Sequence, residues 1–314
     1  MRLNIKSFLR LFSAYQKLEA ERNELKAELL RRKAAESDAP QFFPAGHFYS
    51  PLPSRTEIAE AFARGGFGPP FAEVDLNEAQ QFTRLERFAA WYPEQPFPEQ
   101  PAAGWRYHLD NPSYGHYDAI MLYSMLREAR PRRIIEVGSG FSSAAMLDLN
   151  ERLFKGAVHL TFIDPDMVRL RPLLREDDHT RVTLIEKRVQ EVPLDQFATL
   201  GENDLLFIDS SHVSKIGSDV NRLYFDVLPV LAPGVLIHIH DVAGNLEYPR
   251  DWFEEGRAWN EQYVLRAFLM NNRDYRIELF TAWLWNMKHA FISEHMPMCA
   301  RGGGGQMWLR KLRK

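Results

Sequence analysis

Two pairs of side chains suited to acid–base chemistry or metal binding follow apolar runs in the second half of the chain. Asp209 and His212 come shortly after one run, and His240 and Asp241 close another. A histidine titrates near neutral pH and can take the proton of a hydroxyl group, whereas carboxylate oxygens suit a hard divalent cation. The four residues predict a site for proton removal, with His212 as the candidate base and Asp209 and Asp241 as candidate metal ligands.

Apolar runs separated by helical stretches are the elements that must position these residues. The runs lie at 133–137, 158–163, 181–185, 204–208 and 235–239. Strands that alternate with helices predict a parallel sheet covered on both faces. Neighbouring strands of such a sheet lie ~4.8 Å apart, so side chains at their ends can converge on one site. The predicted fold class is α/β, with a doubly wound, mostly parallel sheet.

The stretch "RRIIEVGSGFSSAAMLDL", residues 132–149, joins the first run to a helix through a glycine-spaced turn. Gly138 and Gly140 match the first two glycines of a dinucleotide-binding turn, but Ser143 stands at the third position. The charge of Glu136 would repel a pyrophosphate and favour the ammonium and sulfonium groups of S-adenosylmethionine. These residues favour S-adenosylmethionine over NAD as the ligand of the turn.

An acidic residue closes the next apolar run. Asp164 lies in "FIDPD", roughly as far beyond the glycine turn as the acid that accepts hydrogen bonds from ribose hydroxyls in nucleotide-binding folds. Because such an acid also serves NAD, Asp164 predicts an adenosine-containing ligand without choosing between the two cofactors.

Four motifs occur in the order and spacing of the class I S-adenosylmethionine-dependent methyltransferases. They are "IIEVGSGFSS", "FIDPD", "DLLFIDSSHV" and "GVLIHIHDV". Residues 114–314 resemble this family, and most closely its bacterial members whose fourth strand reads "FIDSSH" and whose fifth ends in "HD". The resemblance implies a seven-stranded sheet closed by an antiparallel pair at 275–280 and 306–312. It also implies cofactor contacts from Glu136, Gly138, Ser139, Gly140, Asp164, Gln190 and Asp209.

The resemblance extends to metal-dependent catechol-type O-methyltransferases, which carry an Asp after strand 4 and an Asp-Asn pair after strand 5. Asp209 and Asp241 match the two acids, but Val242 replaces the Asn. A Mg²⁺ site would therefore lack one ligand, and His240 as a substitute would favour a transition metal. Those enzymes place a lysine base at the position of His212. A histidine there can act as the base, or it can only order the loop.

Upstream of the α/β pattern, the sequence divides into two further parts. Residues 1–35 predict a helix, and its heptad seam favours either a short coiled coil that forms a homodimer or packing on its own domain. That seam comprises Leu11, Tyr15, Leu18, Arg22, Leu25 and Leu29. Residues 36–113 predict an irregular and helical region with the proline-rich linker "YPEQPFPEQP". The methyltransferase-like domain then occupies 114–314.

Charge and composition limit the class of protein. Residues 1–33 hold nine Lys or Arg and four Glu, and 301–314 hold five basic residues and no acid, although the whole chain has a net charge of -3. The body between these ends is therefore acidic, which argues against general nucleic-acid binding. The sequence contains one cysteine, Cys299, and no apolar run near the ~20 residues of a membrane span. We expect a cytoplasmic protein without a transmembrane segment.

The segment "LEYPRDWFEEGRAWNEQYVLRAFLMNN" is unusually aromatic. It predicts either a wall or lid of an acceptor pocket or a helix packed through its aromatic side chains. Its polar residues Arg257, Asn260 and Glu261 point to a polar acceptor, such as one with sugar hydroxyls.

Taken together, these observations predict an enzyme that transfers a methyl group from S-adenosylmethionine to an oxygen atom of a small-molecule or glycan acceptor. Two alternatives stay open. One is an NAD-dependent oxidoreductase of related fold. The other is a non-catalytic cofactor-binding protein that assembles a complex through its N-terminal helix.

Overall fold

The computed structural model describes residues 22, 42–64, 71, 73–302 and 304–313. The chain divides into two compact units, Met1–Glu57 and Ile58–Lys314. In the first unit, aromatic rings pack on one another, and the ring of His47 stacks on that of Phe43 at 4.1 Å. Apart from Arg22, the predicted N-terminal helix and its coiled coil lie outside the described residues. The described residues include no helix with the length and apolar character needed to cross a bilayer.

Seven strands of the second unit form one sheet in the order β3-β2-β1-β4-β5-β7-β6. The strands are β1 Arg133–Val137, β2 His159–Ile163, β3 Val182–Ile185, β4 Leu205–Ile208, β5 Leu236–Ile239, β6 Tyr275–Phe280 and β7 Met307–Lys311. The first five run parallel, and β7 runs antiparallel to both β5 and β6. This arrangement confirms the predicted α/β class and the mostly parallel seven-stranded sheet closed by an antiparallel pair.

Helices connect and flank the strands. They are α1 Arg55–Ala63, α2 Glu78–Trp91, α3 His116–Ala129, α4 Phe141–Leu153, α5 Asp178–Arg181, α6 Leu194–Ala198, α7 Asp219–Arg222, α8 Leu228–Val230, α9 Arg250–Glu254, α10 Glu261–Leu269 and α11 Thr281–His295, with a π-helical turn at Leu223–Val227. All residues of β4 and β5 are buried. This burial explains why these strands appear in the sequence as continuous apolar runs.

The strand register aligns the ends of four neighbouring strands. Val137 of β1 pairs with Ile163 of β2 and with Ile208 of β4, and Ile208 pairs in turn with Ile239 of β5. The residues that follow these strand ends therefore emerge side by side at the carboxyl edge of the sheet. In open α/β sheets this edge is where ligands bind.

Arg106 anchors the segment before α3 to the sheet-flanking helices. Its side chain is buried, and its guanidinium donates to Asp148 of α4 at 2.8 Å and to Asp178 of α5 at 2.6 and 2.7 Å. Residues 58–113 thus belong to the same compact unit as the sheet, whereas residues 36–57 belong to the other unit. The division of the chain at residues 35/36 and 113/114 stays a prediction.

We expect Arg106→Met to lower the free energy of unfolding by about 3 kcal/mol, because it leaves the carboxylates of Asp148 and Asp178 buried without their cation. Urea unfolding followed by circular dichroism measures this loss. Arg87→Met is the control, because Arg87 pairs with Glu128 from a half-exposed position, and exposed pairs contribute at most about 1 kcal/mol. Equal losses for the two variants would contradict the anchoring role of Arg106.

Candidate functional site

The turn after β1 lies against the end of β4 so closely that only glycine fits at its first position. Gly138 has φ +84°, and a Cβ atom on it would lie 1.8 Å from the carbonyl oxygen of Asp209. The backbone N–H of Asp209 donates to the carbonyl oxygen of Val137 at 2.9 Å. Gly138 thus allows the glycine turn and the residues after β4 to form one continuous surface.

Glu136 occupies a different place from the predicted one. Its side chain is fully buried, does not line the cavity at the sheet edge, and accepts hydrogen bonds from the hydroxyl groups of Ser142 and Ser143. Burial raises the pKa of Glu136 to about 8, against the opposing effect of the two serine hydrogen bonds. The sequence argument that Glu136 offers a fixed negative charge to the cofactor is therefore corrected: Glu136 supports the turn from below.

Ser143 explains why the third glycine is missing from the turn. Its hydroxyl oxygen accepts the backbone N–H of Gly140 at 3.0 Å and its proton is donated to Glu136. Through these two hydrogen bonds, the Ser143 side chain links the turn to the buried Glu136. A third glycine would instead allow close packing of the backbone.

Asp164, at the end of β2, is held in place by backbone donors. Its two carboxylate oxygens accept the N–H groups of Ser139 and Asp166, each at 2.8 Å. Each oxygen keeps a second lone pair, and the side chain lines the cavity beside the glycine turn. Asp164 therefore has oxygen lone pairs left to accept further hydrogen bonds, and its role toward a ribose stays a prediction.

A cavity of about 670 Å³ opens at this edge of the sheet, a size within the usual range for small-molecule sites. Predicted site residues that line it are Gly138, Ser139, Gly140, Asp164, Asp209, His212, His240 and Asp241. An adjoining cavity of about 520 Å³ shares Gly138, Asp164 and Asp209 with the first, and includes Gln190. The amide of Gln190 donates to the carbonyl oxygen of Gly217 at 2.8 Å. The predicted residues other than Glu136 thus surround two connected cavities.

Asp209, His212 and Asp241 form a charged cluster on the cavity wall. The Nε2 atom of His212 lies 3.4 Å from Asp209 Oδ1 and 3.3 Å from Asp241 Oδ2. Its Nδ1 atom lies 2.9 Å from a carboxylate oxygen of Glu261. Both His212 and Asp241 adopt left-handed backbone conformations, with φ of +60° and +56°. Such strained conformations in non-glycine residues concentrate at functional sites.

The environment of His212 does not support its predicted role as a general base. Both ring nitrogens face carboxylates, so no nitrogen is left to accept a proton from an acceptor. Burial disfavours the charged ring, but the hydrogen bonds to Asp209 and Glu261 outweigh it and raise the pKa of His212 to about 10. His212 instead holds the two cavity-facing carboxylates in position. Glu261 lies 49 residues further along the chain, and the sequence grouped it with acceptor-binding residues rather than with His212.

The cluster also fits a divalent cation. Asp209, His212 and Asp241 each offer one ligand atom, and these atoms lie within 4.8 Å of one another. Glu261 would accept the Nδ1 proton of a His212 bound through Nε2, as carboxylates do behind many metal-binding histidines. Val242, at the position of the expected Asn, is buried in the core. Two carboxylates and one imidazole suit a transition metal better than Mg²⁺.

His240 lies deeper than the sequence prediction assumed. It is 6% exposed, its Nε2 atom is 3.8 Å from Asp241 Oδ1, and its ring packs on Tyr114 at 5.3 Å. Burial opposes protonation of His240, but Asp241 and Asp209 raise its pKa above the usual value. It is not a member of the group of metal-binding geometry around His212. His240 therefore lies behind Asp241 and does not take the place of the missing ligand.

One protein-family model and one relative match this chain in sequence. The model of a methyltransferase domain family matches residues 135–242. A protein of Archaeoglobus fulgidus, described as an uncharacterized protein, is 31% identical over 183 residues, which cover 56% of this chain and 81% of that protein.

Two solved structures show weaker likeness. The protein in the structure of cmcI with Mg and S-adenosylmethionine is 19% identical in sequence to this chain. The match covers 71% of this chain and 84% of the cmcI chain, with a TM-score of 0.39. The O-methyltransferase TomG from Streptomyces achromogenes, which is involved in tomaymycin synthesis and was solved in complex with S-adenosylmethionine, is 15% identical. The match covers 74% of this chain and 90% of the TomG chain, also with a TM-score of 0.39.

The family match begins within β1 and ends just beyond β5, so it spans every strand whose end contributes to the cavity. The strand order, with β7 inserted antiparallel between β5 and β6, departs from that of an NAD-binding domain with an all-parallel sheet. Sequence match and topology together show that the chain contains a methyltransferase domain, with the strand arrangement that the resemblance to the class I S-adenosylmethionine-dependent methyltransferases implied.

Proposed function

We propose that the protein transfers the methyl group of S-adenosylmethionine to a hydroxyl oxygen of a small-molecule acceptor. The observation that carries this proposal is the position of the Asp209–His212–Asp241 cluster on the wall of the same cavity as the glycine turn and Asp164. A cofactor bound at the turn would thus present its methyl group near carboxylates that can accept a hydroxyl proton.

The cofactor would lie across the two connected cavities. Asp164 would accept hydrogen bonds from the ribose hydroxyls, and the backbone of Gly138, Ser139 and Gly140 would contact the rest of the cofactor. Gln190, in the adjoining cavity, would flank the adenine. Glu136 would act indirectly, because its hydrogen bonds fix Ser142 and Ser143 at the start of α4.

Methyl transfer is an in-line displacement at carbon, so the enzyme mainly aligns the acceptor and removes its proton. Burial raises the pKa of Asp209, but His240 and His212 outweigh it and hold the pKa below the usual value, so the Asp209 carboxylate is the weaker base. We therefore assign the proton to Asp241. Asp241 faces the cavity beside Asp209. His212 keeps the two carboxylates at a fixed separation. A divalent cation held by Asp209, His212 and Asp241 would supply Lewis-acid activation of the acceptor hydroxyl.

Thermal unfolding with S-adenosylhomocysteine and, separately, with NAD tests the proposed function. A ligand at about 100 times its Kd stabilises the native state by ~2.7 kcal/mol, which gives a measurable shift of the unfolding midpoint. We expect a shift with S-adenosylhomocysteine and none with NAD. A shift with NAD alone would overturn the proposal, and no shift with either ligand would favour the non-catalytic alternative.

Asp164→Ala should weaken S-adenosylhomocysteine binding by about 10- to 100-fold, because it removes two hydrogen bonds to a charged acceptor. Isothermal titration calorimetry measures the change in Kd. Asp177→Ala is the matched control, since Asp177 is exposed, pairs with Arg181 at 3.0 Å and does not line either cavity. A Kd for Asp164→Ala equal to that of the control would remove Asp164 from the ribose site.

Three further features of the proposal rest on the sequence. We propose a cytoplasmic location, supported by the single cysteine, Cys299, which is buried as a free thiol. We propose a homodimer formed through the heptad seam of residues 1–35. We also propose that the acceptor can be a glycan, because the cavity combines acidic, basic and aromatic side chains.

A further inference from the structure

The aromatic segment between β5 and α10 contains an arginine that lies against two indole rings. The guanidinium carbon of Arg257 lies 4.7 Å from the ring centre of Trp252 and 5.0 Å from that of Trp259. The two indoles meet edge to face, with their centres 5.1 Å apart. Contacts of this kind restrict the rotation of a long side chain, so Arg257 is oriented before any ligand arrives.

This segment is fixed to the loop that carries His212. The carbonyl oxygen of His212 accepts the N–H groups of Asn260 and Glu261 at 2.9 and 3.0 Å. The side chain of Asn260 accepts the N–H of Ser214 at 2.5 Å. Asn260 and Glu261, which the sequence grouped with Arg257 as acceptor-binding residues, therefore tie the aromatic segment to the loop that carries His212. Of the three, Arg257 is the one that lines the cavity.

The terminal nitrogens of Arg257 are available to a ligand. Its Nε atom donates to the exposed carboxylate of Glu255 at 2.8 Å. In the part of the chain that the structure describes, the two terminal nitrogens make no hydrogen bond. A guanidinium with both terminal groups available matches a carboxylate or phosphate in a bidentate geometry.

Trp259 lines the same cavity as Arg257. Its ring centre lies 4.4 Å from that of His212, and its remaining neighbours include Arg257 and Trp252. This wall therefore presents an indole and a guanidinium to the cavity, and the guanidinium of Arg257 is its charged group.

We propose that Arg257 binds an anionic group, a carboxylate or a phosphate, of the methyl acceptor, and that Trp252 and Trp259 hold its guanidinium in position. The methyl acceptor is accordingly a hydroxylated compound that carries a negative charge. This inference rests on the proposed methyl transfer, since it concerns the acceptor side of the same cavity.

The test measures binding of matched probes to the full chain saturated with S-adenosylhomocysteine. 3,4-Dihydroxybenzoate is compared with catechol, and glucuronate and glucose 6-phosphate are compared with glucose, by isothermal titration calorimetry. We expect at least one anionic probe to bind about 10- to 100-fold more tightly than its neutral counterpart, as a hydrogen-bonded ion pair predicts. The carboxylate and phosphate probes show which anion the site takes.

Variants assign the preference to Arg257. Arg257→Gln should abolish the preference for the anion, whereas Arg250→Gln should keep it, because Arg250 is exposed, pairs with Glu254 at 2.8 Å and lies outside the cavity. Trp252→Phe should retain the preference and Trp252→Ala should reduce it, which separates positioning of the guanidinium from general packing.

Two results would overturn the inference: equal affinity for charged and neutral probes, including no binding of either, or a preference that survives Arg257→Gln. Binding of S-adenosylhomocysteine reports separately on the proposed function. It should be unchanged in Arg257→Gln, and its loss from the unsubstituted protein would instead refute the methyl-transfer proposal itself.

Discussion

Asp241→Asn should lower the rate of methyl transfer by about 1000-fold while changing the Kd of S-adenosylhomocysteine by less than about threefold, since loss of a positioned proton acceptor costs ~10²- to 10⁴-fold. Asparagine keeps the shape of the side chain but cannot accept the proton. It also removes one of the two carboxylates that face Nε2 of His212. Single-turnover kinetics with cofactor in excess isolates this chemical step from product release.

Asp226→Asn is the control for Asp241→Asn, because Asp226 is exposed and pairs with Arg222 at 2.9 Å outside the cavity. Turnover of Asp241→Asn within tenfold of that control would show that the cluster does not take the acceptor proton. Dialysis against EDTA then distinguishes proton transfer to the carboxylates alone from proton transfer that needs a bound cation. Turnover that survives EDTA assigns the proton to the carboxylates alone, and turnover lost in EDTA and restored by Mn²⁺ places a cation between them.

The strands could be predicted closely because strands buried on both faces appear in the sequence as continuous apolar runs. The run at 204–208 became β4, Leu205–Ile208, and the run at 235–239 became β5, Leu236–Ile239. Continuous apolar stretches bounded by turns admit few other structures in an α/β pattern. The pairing of β6 with β7 came from the family resemblance, since neither strand is a long apolar run.

The candidate site could be predicted by position but not by side-chain direction. The register of parallel strands brings Asp164, Asp209 and Asp241 to one edge whatever their side chains contact, so these three positions followed from the strand ends. Glu136 turns inward because Ser142 and Ser143 offer hydroxyl donors beneath the turn. The Nδ1 atom of His212 is not free to accept a proton, because it faces the carboxylate of Glu261. Both outcomes depend on tertiary contacts that a local motif does not encode.

Gly138→Ala should lower the free energy of unfolding by about 4 kcal/mol, from ~1 kcal/mol for a left-handed residue and ~3 kcal/mol for overpacking. The added methyl group would lie 1.8 Å from the carbonyl oxygen of Asp209. Because that atom is backbone, only separation of the ends of β1 and β4 relieves the clash. The same movement would displace both the glycine turn and Asp209, which line the cavity together.

Gly156→Ala provides a control that isolates the contact from the backbone conformation. Gly156 also has a positive φ, +77°, but a Cβ atom there would meet nothing within 4 Å. It should therefore cost only ~1 kcal/mol and leave cofactor binding unchanged. For Gly138→Ala we expect the Kd of S-adenosylhomocysteine to rise at least ~100-fold, equivalent to ~2.8 kcal/mol. If calorimetry and urea unfolding gave the same values for both variants, the close approach of β1 and β4 would not be what shapes the cofactor site.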